Sequence, residues 1–237
     1  EAEREIAWKK LSESAGKNDS ADENKYLIIF LTRIIWDGQE PYERRAWQEL
    51  LRRNLKMYDT ECDVFRDVIL KAPEPYKAEA WNELIRCSPA DFLEIYSLIV
   101  ESNLEPYSFR AWQSLENFWT LTNNIDQKKL YTNLFFIIRG AEEPYKRWAW
   151  DKILSEQPDI ATLGQLLFEW PWPEPYTTMA WQIIYDKLET VKNISKQDVT
   201  ILKKIANESK YNFRIAALSI LLRLRLSPEE LETAQKM

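Results

Sequence analysis

Histidine does not occur anywhere in these 237 residues. That absence removes Cys/His zinc sites, His-based nucleophile triads and imidazole general bases. Glycine is nearly as scarce. The four present, Gly16, Gly38, Gly140 and Gly164, stand far apart, so neither a phosphate-cradling loop nor a dinucleotide fingerprint can be written. The two cysteines, Cys62 and Cys87, fall inside helical patterns and form no spaced framework, which points to a reducing, cytoplasmic setting. A basic excess is missing too: the net charge of -6 and pI near 5.1 argue against a grip on the phosphates of DNA or RNA. The longest apolar run, YLIIFL from Tyr26 to Leu31, is far short of the roughly 20 residues that span a bilayer. No basic-apolar-small leader opens the chain, and Glu1 stands in mid-repeat, so we expect a piece of a longer protein.

What is present is an ordinary globular composition, 45% hydrophobic and 30% charged, with enough apolar material for a large core. It is written in a repeating phrase. Glu-Pro-Tyr-x-x-x-Ala-Trp occurs five times, starting at Glu40, Glu74, Glu105, Glu143 and Glu174. EAEREIAW from Glu1 and KYNFRIAA from Lys210 are two decayed copies. The motif tyrosines lie 34, 31, 38 and 31 residues apart, a period that signals stacked helix pairs.

Each motif reads as a helix start. Proline suits the first turn because its missing N–H would have no partner there, and glutamate complements the positive helix end. Tyr42, Ala46 and Leu50 lie four apart on one face with Trp47 and Leu51 beside them, the spacing of a packed stripe. A second helix follows in each unit. Ser88-Pro89-Ala90-Asp91 caps one bearing Phe92, Ile95, Tyr96 and Ile99, and Ser195 with Asp198 caps one bearing Val199, Leu202 and Ile205. No strand-like alternation interrupts this. The expectation is an all-α fold over residues 1–237, a single right-handed solenoid of about seven helical hairpins with units starting near 1, 40, 74, 105, 143, 174 and 210.

Pro41, Ala46, Trp47 and Leu50, and again Pro75, Ala80, Trp81 and Leu84, resemble the first helix of a tetratricopeptide repeat. The resemblance departs where that family has a small residue after the leucine and this chain has Leu51 and Ile85, and where it has alanines in the second helix and Asp63 and Leu70 stand. HEAT-like packing is the structural alternative. The tail SPEELETAQKM from Ser227 is similar to that of the protein substrate cut by caspase-like proteases of CRISPR systems. This implies a regulatory, protease-processed component of prokaryotic antiviral defence that holds or masks a partner until cleaved.

A residue repeated in every unit is most economically explained by a joint that every unit makes. Pro41, Tyr42, Ala46 and Trp47; Pro75, Tyr76, Ala80 and Trp81; Pro106, Tyr107, Ala111 and Trp112; Pro144, Tyr145, Ala149 and Trp150; and Pro175, Tyr176, Ala180 and Trp181 are therefore read as architecture, with tyrosine pinning the turn between units. Function is expected at positions that vary. By resemblance to the tetratricopeptide layout these lie two before, one after and five after each tryptophan: Arg45, Gln48, Arg52; Glu79, Asn82, Arg86; Arg110, Gln113, Asn117; Trp148, Asp151, Ser155; Met179, Gln182, Asp186. Arg45, Arg52, Arg86 and Arg110 with Gln48, Asn82 and Gln113 are the candidate contacts for an extended acidic segment, guanidinium forks meeting carboxylates and amides meeting backbone. Trp170 and Trp172, in a proline-rich connection, are candidates for an exposed aromatic anchor. The carboxylate pairs Glu142-Glu143 and Glu229-Glu230 read as helix-start and surface charges. The functional expectation is a non-enzymatic protein-interaction scaffold without cofactor, metal or nucleic acid, binding a peptide or protein partner of acidic character.

Overall fold

The computed structural model describes residues 2–15, 21–52, 61–86, 92–122, 125–169, 172–190, 196–208 and 211–223. These form thirteen α-helices, and no strand occurs among them. The chain divides into two compact units, Glu1–Asn124 and Ile125–Met237. The first holds α1 (Ala2–Ala15), α2 (Ala21–Asp37), α3 (Tyr42–Arg52), α4 (Glu61–Lys71), α5 (Tyr76–Leu84), α6 (Phe92–Glu101) and α7 (Tyr107–Leu121). The second holds α8 (Gln127–Gly140), α9 (Tyr145–Ser155), α10 (Ile160–Glu169), α11 (Tyr176–Thr190), α12 (Lys196–Glu208) and α13 (Tyr211–Arg223).

Helices starting at a motif alternate with helices that do not, and the pairing runs across the motif. In the first unit α2 packs on α3, α4 on α5 and α6 on α7, while α2 and α4, and α4 and α6, lie side by side. In the second, α8 packs on α9, α10 on α11 and α12 on α13, with α10 beside α12 and α11 beside α13. Glu-Pro-Tyr is thus the tight loop inside each hairpin rather than the link from one hairpin to the next. Even-numbered helices carry most of the buried aliphatic residues, such as Ile95, Ile99 and Val100 of α6 and Leu202 and Ile205 of α12.

The turn itself is the same five times over. The Glu-Pro bonds Glu40-Pro41, Glu74-Pro75, Glu105-Pro106, Glu143-Pro144 and Glu174-Pro175 are cis. The tyrosine N–H donates to the carbonyl three residues back, as in Tyr42 to Gln39 at 2.9 Å and Tyr107 to Leu104 at 2.8 Å, which makes each a type VI turn. The proline carbonyl then accepts the first helical N–H, from Arg45 at 3.2 Å and Trp148 at 3.0 Å, for example. Proline is therefore the N-cap and tyrosine the first helical residue, one position later than the sequence pattern suggests. Glutamate caps as well: the Arg147 N–H donates to Glu143 at 3.2 Å and the Thr178 N–H to Glu174 at 3.3 Å, serving donors that helix geometry leaves without partners.

The serines and aspartate at 88–91, together with Ser195, Cys87, Trp170, Glu1 and the run from Ser227, lie outside the described residues. Cys62 is half-buried. Among the described residues, no helix is long and apolar enough to cross a membrane.

Candidate functional site

Within each unit, motif copies dock onto the preceding one through the same contacts, at Tyr76, Tyr107 and Tyr176. The ring of Tyr76 packs against Trp47 with centroids 6.3 Å apart, Tyr107 against Trp81 at 6.1 Å, and Tyr176 against Trp150 at 5.9 Å. The tyrosine hydroxyl donates to the preceding motif's glutamate: Tyr76 to Glu40, Tyr107 to Glu74 at 2.6 Å and Tyr176 to Glu143 at 2.5 Å. Burial, followed by this bond to a carboxylate, pushes the three phenols well above their ordinary range. The alanine beside the tryptophan (Ala46, Ala80, Ala111, Ala149, Ala180) is fully buried in all five copies. Trp47, Trp81, Trp112 and Trp150 are buried as well, whereas Trp181 is half-buried and the five prolines are exposed. Tyr145, the remaining motif tyrosine, is buried on α9 with its ring 5.4 Å from Trp148.

Glu79, read from sequence as a variable outward position, belongs to this joint. Its carboxylate accepts from the Trp47 indole at 2.5 Å and from Arg44 at 2.7 Å. Arg44 in turn lies 4.9 Å over the Tyr76 ring, and the Glu79 bond raises its pKa. No spacing rule within one repeat reveals this. The signal that does is the pairing of the fifth motif position of one copy with the sixth of the next. In the second unit the corresponding residues are Arg147 and Met179. Methionine offers no carboxylate, and the fully buried Trp150 indole N–H has no hydrogen-bond partner.

The four candidate arginines are not a cationic cluster. Arg45 is bound to Glu5 at 2.8 Å, Arg52 to Glu49 at 2.9 Å and Arg86 to Glu83 at 2.9 Å, while Arg110 lies 5.6 Å over the Tyr107 ring. The hydrogen bond from Arg45 holds the Glu5 carboxyl below its ordinary pKa. Arg45 faces α1 and leaves the candidate surface. Gln48 and Arg52 on α3, Asn82 on α5 with Arg86 just beyond it, and Gln113 and Asn117 on α7 are exposed. Between amide and arginine stand two aliphatic residues, Leu51, which the stripe argument placed inside but which is 42% exposed, and Ile85, 57% exposed. The first two odd motif helices of the first unit thus present amide, aliphatic and guanidinium in one order, Gln48, Leu51, Arg52 and Asn82, Ile85, Arg86.

Trp172 is not a surface anchor. It is 8% exposed, donates its indole N–H to the Leu166 carbonyl at 3.2 Å and packs 5.6 Å from both Phe135 and Trp150, so its ring lies among α8, α9 and α10. In the second unit Asp151 is paired with Arg147 at 3.2 Å and Asp186 accepts from Gln182 at 2.7 Å, so the triplet does not continue there. Among the described residues, no group of three or more Cys, Asp and Glu is placed to hold a metal ion.

Fold and surface define an all-α protein whose helices pack in neighbouring pairs through a repeated turn. Compared with protein families, curated proteins and solved structures, the chain matches none.

Proposed function

We propose that this chain is a non-enzymatic protein-interaction scaffold of the cytoplasm, built from right-handed tetratricopeptide-like or HEAT-like stacks, that holds an extended segment of a protein partner against α3 and α5. The observation that carries it is the repeated exposed triplet. Gln48, Leu51, Arg52 and Asn82, Ile85, Arg86 recur in register, yet the repeat joint uses none of them. Amides serve an extended backbone, aliphatics cover apolar side chains, and each guanidinium, held by Glu49 or Glu83, exchanges that partner for an incoming carboxylate. Packed helices stand about 8–10 Å apart and an extended chain advances about 3.3 Å per residue, so residues about three apart in the partner meet successive triplets. The partner is accordingly mixed apolar and acidic. Neither nucleic acid nor membrane enters this reading.

The test is comparative capture from the native host with identification by mass spectrometry. Ile85→Asp with Arg86→Glu removes the partner, whereas Lys203→Glu with Lys204→Glu on α12 retains it, both variants melting like the parent. The reverse pattern moves the docking surface to the second unit. The alternative of a protease-processed defence component rests on the tail from Ser227, which lies outside the described residues.

A further inference from the structure

Even-numbered helices can be compared by counting back from the motif proline. Thirteen residues before it stand Ile28, Cys62 and Leu93 in the first unit, but Tyr131 and Thr162 in the second. Ten before it, Leu31, Phe65, Tyr96 and Leu134 are buried, whereas α10 has Gln165, which is exposed. The second unit thus places hydroxyls and an amide at registers that hold core residues elsewhere. The fold brings these groups together. Tyr131 on α8 and Thr162 and Gln165 on α10 line one cavity of ≈ 230 Å³, with Lys128, Thr132 and Leu166 beside them.

The cavity has a packing origin. A Cβ at Gly164 would lie 2.4 Å from the Ile201 side chain, so α10 sits hard against α12, and helical geometry puts Thr162 and Leu166 on the face opposite Gly164. The pairs α2–α4, α4–α6 and α10–α12 pack side by side, but α8 and α10 do not meet to the same extent. Tyr131 is the most deeply buried of the lining side chains named, at 3% exposed, and its hydroxyl forms no hydrogen bond among the described residues. A buried hydroxyl without a partner is costly, so a group that bonds it there is favoured.

The surroundings select against charge of either sign. Burial, followed by Glu156 and Asp159, pushes the Tyr131 phenol above its ordinary range, so it donates, and the same two carboxylates disfavour an anion beside it. The first-turn N–H groups that would attract an anion are already served: Asp126 accepts from Lys128 at 2.9 Å and Asp159 from Thr162 at 2.6 Å. A cation finds no carboxylate among the lining residues and meets the exposed Lys128. The remaining groups suit a neutral ligand that both donates and accepts. Thr132 donates its hydroxyl proton to the Lys128 carbonyl at 2.8 Å and so offers its oxygen, while the Gln127 and Gln165 amides can do both.

We propose that this cavity of the second unit binds a small neutral polyhydroxylated ligand of monosaccharide size, held by the Tyr131 and Thr162 hydroxyls and the two glutamine amides, with Leu166 against its C–H groups. The site is separate from the α3–α5 triplets, and neither reading depends on the other.

The probes are myo-inositol and methyl α-D-glucopyranoside, titrated into the isotope-labelled chain and followed by amide NMR, with sodium acetate and tetramethylammonium chloride as charged comparators. The amides of residues 128–132 and 162–166 should shift saturably with at least one polyol and with neither ion. Tyr131→Phe should weaken that binding about fivefold or more, the worth of one hydrogen bond, and should melt no lower than the parent because the hydroxyl bonds no described residue. Thr162→Val, which keeps the side-chain volume, should weaken it likewise, and Arg52→Glu on α3 should leave it unchanged. Absence of saturable shifts with both polyols, shifts confined to other residues, equal binding by either cavity variant, or the same shifts with acetate or tetramethylammonium overturns the proposal.

Discussion

The joints at Tyr76 and Tyr176 contain the same glutamate, tyrosine, alanine and tryptophan, but they differ in one outer residue. At Tyr76, Glu79 closes the Trp47 indole and holds Arg44. At Tyr176, Met179 stands in that register and the Trp150 indole is buried without a partner. The joint at Tyr42 is weaker in another way, with a half-exposed Trp8 6.4 Å from Tyr42 and a longer hydroxyl bond. The motif therefore specifies where a joint forms, and flanking residues set how completely its polar atoms are satisfied. A buried donor without a partner costs more than a hydrogen bond contributes.

Removing the ring should separate these joints most. Trp47→Ala is expected to cost about 3–5 kcal/mol, and Trp8→Ala less because part of its surface stays in water; denaturant unfolding of both variants checks this, and equal losses would mean that α1 is packed as tightly as α3. Next in size is Glu79→Ala. It leaves the buried Trp47 indole N–H without an acceptor, at about 1–3 kcal/mol, whereas Glu83→Ala, which frees only exposed Arg86, should cost a few tenths of that by the usual weakness of surface ion pairs.

The hydroxyl bonds come third. Tyr107→Phe should cost about 1 kcal/mol and Tyr42→Phe less, as read from melting temperatures. Because the folded-state phenols of Tyr76, Tyr107 and Tyr176 are raised, their contribution is fully present below the unfolded tyrosine pKa of about 10 and is lost as pH rises beyond it. Alkaline titration of stability should therefore steepen above about pH 10, and less steeply in Tyr107→Phe. The smallest expected effect has the opposite sign. Met179→Glu places a carboxylate within the register of Arg147 and the Trp150 indole, and should stabilise the second unit by about 1 kcal/mol or less; a loss would show that the Met179 side chain packs more favourably than the new bond.

Much of the fold was legible because helix-forming signals are local. The Pro-Tyr start, the Ala/Trp/Leu stripe and the absence of alternation depend on residues within a turn or two of one another. Two side-chain expectations failed for reasons that lie outside any one helix. Leu51 shares the apolar stripe of α3 with Leu50, but it falls where no neighbour covers it. Trp172 sits among prolines that read as an exposed connection, yet its ring is buried against Phe135, Trp150 and the Leu166 carbonyl. The candidate arginines are not a free patch, because a glutamate three residues earlier pairs with Arg52 and with Arg86.

The sequence by itself determined the period, the helix starts and the chemistries that a chain without histidine excludes. Tertiary structure alone decided which glutamate meets which tyrosine, since those partners lie 36, 33 and 33 residues apart. It also decided that Glu79 points inward and that Glu-Pro-Tyr closes a hairpin instead of linking two. The physical reason is one of range. Backbone propensity and helical periodicity act over about four residues, whereas contacts between neighbouring helices depend on how each is rotated and shifted against the next, which no single repeat encodes.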